Sequence, residues 1–206
     1  MRSIPAVKPT STPRGRPRSL DAKRAILDAA RELVEKGGYT AATIEAVAAR
    51  SGVAKTTIYR WWPNRNALLV DLLVELATVA APPPSGQDPV QALRTELLLV
   101  GQASDMLPGR LLSSLLGEAE CDPEVQAALK REIFTPRRKA TAAVVREAQL
   151  AGAIRSDIAP KLAVDLLFGP LFYRRYVRHE PVPPAFVKEI FKQVLFGLRP
   201  RSSSGK

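Results

Sequence analysis

Six side chains with the hydrogen-bond donors that a polyanion requires crowd into residues 55–61: Lys55, Thr56, Thr57, Tyr59, Arg60 and Trp61. Ammonium, guanidinium and hydroxyl groups at this density suit phosphate oxygens and base edges. The residues around them have a spacing of their own. In a helix-turn-helix the first helix carries a small residue where the second crosses it, a glycine makes the turn, and apolar residues face inward from the second helix. Counting from Ile44, Ala48 is the small residue, Gly52 the turn, and Val47, Val53 and Ile58 the core contacts. An αα-corner without a nucleic-acid role has the same inward pattern, and the donor-rich outward face is what favours the DNA-binding reading.

A second basic motif lies upstream. Pro13-Arg14-Gly15-Arg16-Pro17 resembles an AT-hook core. There an extended Arg-Gly-Arg lies along a narrow A·T-rich minor groove, and glycine lets the backbone reach its floor. A generic basic arm touching phosphates without preference is the alternative. In either case Arg14, Arg16 and Arg18 add affinity and salt dependence.

Other chemistries find few residues. A lone Cys121 and a lone His179 make no disulfide, no thiolate zinc site and no nucleophile–base pair, so neither a metal nor a cofactor is expected. There is no Walker loop, no GxGxxG and no Gly-x-Ser-x-Gly elbow, which argues against an enzyme. The 206 residues, 46% hydrophobic and 25% charged, are enough to bury a substantial core. A formal charge of +11 points to a polyanionic partner. It is unevenly spread: +7 over residues 1–71, −5 over 72–130 and +9 over 131–206. Residues 1–18 alone carry five basic and no acidic residues among four prolines, and are expected to form a mobile arm. No apolar stretch follows the N-terminal basic residues, and the longest apolar region, 67–81, carries Asp71 and Glu75. A soluble, cytoplasmic protein without membrane contact is expected.

Positioning these groups falls to helices. Ala22, Ile26, Ala29, Ala30, Leu33 and Val34 recur at helical spacing after Ser19, a candidate cap, and end at Gly37-Gly38. Thr43 can cap a short helix before Gly52, and a second runs to Trp61. Pro63-Asn64 opens a helix over 65–81 that is apolar on nearly every side, as a bridge buried between two bodies would be. Pro82-Pro83-Pro84-Ser85-Gly86 must end it. Further helices are expected near 88–104, 108–119, 122–150, 160–179 and 184–198, with Gly169-Pro170 kinking or splitting the fourth. No stretch alternates with period two, so the fold class is all-α. The expected parts are an arm (1–18), a helix-turn-helix domain (19–66), a bridging helix (67–81), a helical effector-binding and dimerisation domain (82–200) and a basic tail (201–206).

Over about residues 20–75 the chain resembles the TetR-like one-component transcriptional regulators. The resemblance is carried by Ala25 to Glu35, Gly38-Tyr39-Thr40, Thr43-Ile44, Val47-Ala48 and Ser51-Gly52-Val53. It is strongest in the run Thr57-Ile58-Tyr59-Arg60-Trp61-Trp62-Pro63-Asn64-Arg65 and in Ala67-Leu68-Leu69. It implies that Thr43, Tyr59 and Arg65 meet phosphates, that Lys55, Thr56, Thr57 and Arg60 face the major groove, and that Trp62 packs between helices. Trp61 stands where the family more often has a histidine or basic residue, and it could contact backbone or pack.

The resemblance further implies a homodimer on a two-fold symmetric operator, released by a small-molecule effector. Its interface would come from the last two helices, where Phe186, Val187, Ile190, Phe191, Val194, Leu195 and Leu198 form one stripe and Leu167, Leu171 and Phe172 another. A monomer with these stripes turned inward is the alternative. Candidate pocket lining is Leu97, Val100, Met106, Leu111, Leu112, Leu115, Phe134, Val144, Phe168 and Tyr173, any of which can equally be plain core. An architectural binder of A·T-rich DNA without an effector is the rival function.

Overall fold

The computed structural model describes residues 17–78 and 88–199. The Arg14-Gly15-Arg16 motif, the Pro82–Gly86 break and the basic tail lie outside these residues, as do the side chains of residues 17–19. The described residues form helices joined by short turns, with no strand.

Helix α1 (Pro17–Ala41) begins two residues inside the segment expected as an arm. Proline has its φ preset for a first helical position and gives up an N–H that would find no partner there. Ser19, the expected cap, is therefore inside the helix. Gly38 adopts φ 73°, a left-handed conformation that glycine tolerates, so the expected end becomes a kink followed by one more turn. Helix α2 (Ile44–Ser51) is capped by Thr43, whose Oγ1 accepts the Ala46 N–H at 3.1 Å, a contact worth about 1 kcal/mol. Gly52, at φ 70°, turns the chain into α3 (Lys55–Trp61). Asn64 caps α4 (Arg65–Thr78), its Oδ1 accepting the Ala67 N–H at 2.8 Å.

The remaining elements are α5 (Pro89–Asp105), α6 (Leu107–Ala119), α7 (Pro123–Leu129), α8 (Thr135–Leu150), α9 (Pro160–Phe172) and α10 (Pro184–Leu198). A π turn, Lys130–Phe134, joins α7 to α8, and a second, Tyr173–Val177, extends α9. Gly169-Pro170 does not split α9. The irregularity appears instead in the π turn just after it, where the wider helical repeat takes up the strain left by a proline that has no N–H.

Two apolar cores hold the molecule together, and they do not follow chain order. The first joins α1–α4 to α6, α7 and the first π turn, with Ile26, Ala30, Ile58, Trp62, Leu68, Leu69 and Leu72 meeting Leu111, Leu115, Val125 and Leu129. The second joins α5, α8, α9 and α10. Leu68, Leu69, Val70, Leu72 and Leu73 of α4 are all buried, and the helix packs against both α1 and α6. Two of the six α-helices of the C-terminal body, α6 and α7, thus share a core with the helix-turn-helix.

Candidate nucleic-acid interface and cavity

The inward side chain of α3, Ile58, is completely buried, which turns the opposite face outward. Lys55, Thr56, Arg60 and Tyr59 (49% exposed) stand on that face, with Thr57 half-buried at its edge. Lys55 forms a 2.9 Å ion pair with Glu45 of α2, and this contact raises the lysine pKa and lowers that of the carboxyl. Phosphates approaching Lys55 must compete with that carboxylate. Thr43, exposed at the start of α2, accepts a backbone N–H and keeps its own O–H free to donate to a phosphate.

Trp61 is 39% exposed, its ring centroid 6.1 Å from that of Trp62. Lys23 of α1 stands 5.7 Å from the Trp61 ring and 5.8 Å from the Trp62 ring. Packing thus occupies one face of Trp61 and leaves its edge accessible. Trp62 is buried and donates Nε1–H to Asp71 Oδ2 at 3.0 Å, while Lys23 closes the same carboxylate at 2.9 Å. This joins α1, α3 and α4 at one point.

Arg65, the first residue of α4, stacks its guanidinium 4.2 Å over the Tyr39 ring. Tyr39 in turn donates its hydroxyl to Asn66 Oδ1 at 2.6 Å. Burial raises the Tyr39 pKa, Arg65 opposes that shift, and Glu118 of α6 adds to it. A residue from the C-terminal body therefore reaches the support of a candidate phosphate ligand. Tyr39 had a signal in the Gly38-Tyr39-Thr40 run, but Glu118 had none.

A cavity of about 350 Å³ lies where the two cores meet. Leu73, Leu76 and Ala77 of α4, Val100, Ala103 and Ser104 of α5, and Pro108, Gly109 and Leu112 of α6 line one side. Ile133, Phe134, Arg137, Arg138 and Thr141 close another, and Val164, Asp165, Phe168, Phe172 and Tyr176 complete it. Of the expected lining, Val100, Leu112, Phe134 and Phe168 are on this wall. Leu97, Leu111, Leu115 and Val144 are not: the first three are buried within the cores and Val144 packs against the second. Met106 (62% exposed) and Tyr173 (58% exposed) point to solvent, the first from the α5–α6 elbow and the second from the start of the second π turn. The wall residues of α4 sit at spacings of three and one on a helix apolar all round, a pattern that did not distinguish cavity from core in advance.

The expected interface stripes also change. Leu167, Leu171, Phe191 and Leu198 are buried in the second core, Phe172 lines the cavity, and Phe186, Ile190 and Val194 are half-buried against the same core. α9 and α10 pack on α5 and α8 through those faces. Their solvent side instead presents Leu162, Leu166, Tyr173, Val177 and Phe196. Among the described residues no group of three or more metal-ligating side chains converges, and no helix is long and apolar enough to cross a membrane.

A donor-rich helix exposed on a helix-turn-helix, tied through α4 to a helical body with its own cavity, defines a DNA-binding regulator of the one-component type. Residues 26–72 match the model for bacterial regulatory proteins of the tetR family, and residues 88–194 match that for the tetracyclin repressor-like C-terminal domain. The chain belongs to the TetR family of transcriptional regulators. It is 28% identical over 191 residues to the uncharacterized HTH-type transcriptional regulator YdeS of Bacillus subtilis (strain 168), covering 93% of this chain and 96% of the relative. The crystal structure of the TetR-family regulator SCO0332 superposes with a TM-score of 0.74 at 31% identity, over 87% of this chain and 100% of that one. The fold is also that of Thermus thermophilus FadR, a repressor solved with lauroyl-CoA, with a TM-score of 0.63 at 20% identity over 89% of this chain and 98% of that one.

Proposed function

We propose that the protein is a repressor that binds a two-fold symmetric operator as a homodimer and is released by a small molecule in the cavity, acting in the cytoplasm where the DNA is. One observation carries this reading: α4 contributes Leu73, Leu76 and Ala77 to the cavity wall while Leu68, Leu69 and Leu72 of the same helix lie in the core shared with α3. A ligand between α4, α5 and α8 cannot enter without pressing on the helix that begins at Arg65. Its binding would favour a body in which α4 tilts and the two recognition helices leave the roughly 34 Å spacing, or multiple of it, that successive half-sites require.

In this reading Lys55, Thr56, Thr57 and Arg60 read base edges, while Thr43, Tyr59 and Arg65 hold phosphates, with Trp61 at the backbone edge. The exposed Leu162 and Leu166 of α9, Tyr173 and Val177 of the π turn that extends it, and Phe196 of α10 pack against their mates. Arg14, Arg16 and Arg18 add contacts to the flanking duplex. FadR's lauroyl-CoA supports a ligand role for the body of this fold. Basic groups and a helix-turn-helix alone would also suit an architectural binder of A·T-rich DNA, but such a protein has no use for a cavity walled by its bridging helix.

Duplexes selected from a random pool by the protein itself supply the operator. Tyr59→Ala combined with Arg60→Ala is expected to weaken binding to it at least tenfold and to spare non-specific DNA more. Undiminished binding overturns the recognition helix, and operator affinity that is the same with every small molecule tried overturns the effector.

A further inference from the structure

The charges on the cavity wall are unequal. Arg137 and Arg138 line it against one carboxylate, Asp165. The two arginines reach the wall from neighbouring positions on α8. Arg138 pairs with Asp165 of α9 on one side, and Arg137 leans toward α5, its Nε 3.9 Å from Glu96 Oε1. Glu96 is 3% exposed, accepts the Thr141 hydroxyl at 2.8 Å and is not on the wall. Burial pushes its carboxyl pKa up, against the Thr141 hydrogen bond and the charge of Arg137, which both lower it.

The uncharged polar groups on the wall are few and mostly engaged. The Ser104 hydroxyl donates to the Gly101 carbonyl at 2.6 Å, and Thr141 is held by Glu96. Tyr176 has no hydrogen bond among the described residues, and burial pushes its pKa up to about 12, so at neutral pH it keeps its proton to donate. The rest of the wall is aliphatic or aromatic. Phe134 meets Phe172 edge-on at 6.2 Å, and Phe172 lies 5.2 Å from Tyr176. The volume, about 350 Å³, is at the small end of the roughly 300–1,000 Å³ of ligand clefts.

We propose, on the basis of the effector reading above, that the cavity takes a compact monoanionic amphiphile. Its aromatic or short aliphatic body lies among Phe134, Phe168, Phe172 and Tyr176, and its carboxylate or similar oxyanion meets Arg137 and Arg138. Guanidinium is the side chain best suited to this task, being always charged and presenting paired donors to a planar anion. A cation would find two guanidiniums on the wall, with Asp165 already paired to Arg138 and Glu96 already beside Arg137. A neutral polar ligand would find few donors or acceptors not already engaged.

Calorimetric titration of the full chain with phenylbutyrate, phenylbutanol and phenylbutylamine tests this with one body and three charges. The acid is expected to bind roughly tenfold or more tighter than the alcohol, as a charge-assisted hydrogen bond allows, and the amine weakest. Arg137→Gln with Arg138→Gln should bring acid and alcohol to within about twofold. Arg138→Gln alone, which leaves the contact between Arg137 and Glu96 in place, should narrow the gap if the double variant does not fold. Ala103→Phe, which fills the cavity, should abolish binding of all three. An alcohol as tight as the acid, or an amine tighter than both, overturns the anion assignment and leaves the effector reading standing. No saturable binding of any of the three overturns it as well, and the effector reading is then decided by the operator assay alone.

Discussion

Arg65 shows how much of a contact residue's work is done by what lies beneath it. Its guanidinium rests on Tyr39, and Tyr39 is held by Asn66 and influenced by Glu118. A long flexible side chain supported in this way loses less entropy when it meets a phosphate. Arg65→Ala is expected to lower the slope of log K against log salt by about 0.9, the amount for one phosphate neutralised on B-DNA. Tyr39→Phe keeps the ring under Arg65 but loses the hydrogen bond to Asn66, so it should cost about 1 kcal/mol of stability and weaken operator binding with the slope unchanged. Salt-dependent anisotropy on both variants checks this, and a wild-type slope in Arg65→Ala would remove that residue from the interface. Lys55 illustrates the opposite arrangement, since Glu45 must be displaced before the ammonium can reach DNA.

Two features of the helices shape the cavity. The π turns Lys130–Phe134 and Tyr173–Val177 bring Phe134 and Tyr176 to its wall, where an extra residue per turn shifts the register of the side chains that follow. The α5–α6 elbow is tight because Gly109 has no side chain: a Cβ there would stand 1.9 Å from the Ser104 carbonyl oxygen, a backbone atom that no rotamer change can move. Gly109→Ala is therefore expected to cost about 2–3 kcal/mol by urea denaturation, toward the upper part of the usual range for overpacking. A loss below about 0.5 kcal/mol would show that the elbow opens freely. Because Gly109 also lines the cavity, a variant that stays folded should bind ligand differently even where DNA binding persists.

At the scale of the molecule, one core includes the helix-turn-helix and the other holds the helices proposed to dimerise. α6 and α7 belong with the helix-turn-helix, while α5, α8, α9 and α10 form a second unit that exposes several large apolar side chains among charged ones. The cavity at their junction is where the proposed effector would alter one relative to the other. The exposed Leu162, Leu166, Tyr173, Val177 and Phe196 are the surface to test for dimerisation. Leu162→Asp with Leu166→Asp should give a monomer by light scattering with unchanged helical circular dichroism, and operator affinity should fall at least tenfold as half of the contacts are lost. A dimer that persists in this variant would move the interface elsewhere. These substitutions sit on the solvent side, so they leave the buried Leu167 and Leu171 in place.

The chain alone determined what local rules control. Thr43, Gly52, Ile58 and Asn64 act through neighbours within a few residues, and so the helix-turn-helix, its outward donors and the all-helical body were legible from spacing and residue type. Which apolar side chains would become core, cavity or free surface was not legible, because a leucine on α9 is equally apolar at 162, 166, 167 or 171. Only the packing of α9 and α10 on α5 and α8 decided that Leu167 and Leu171 face inward and Leu162 and Leu166 face solvent. The same holds for the charges: the basic excess over 131–206 had no specific reading until the fold set Arg137 and Arg138 on the wall of a largely apolar cavity. Burial and contact between distant segments are properties of the tertiary structure, and the identity of a side chain constrains them only weakly.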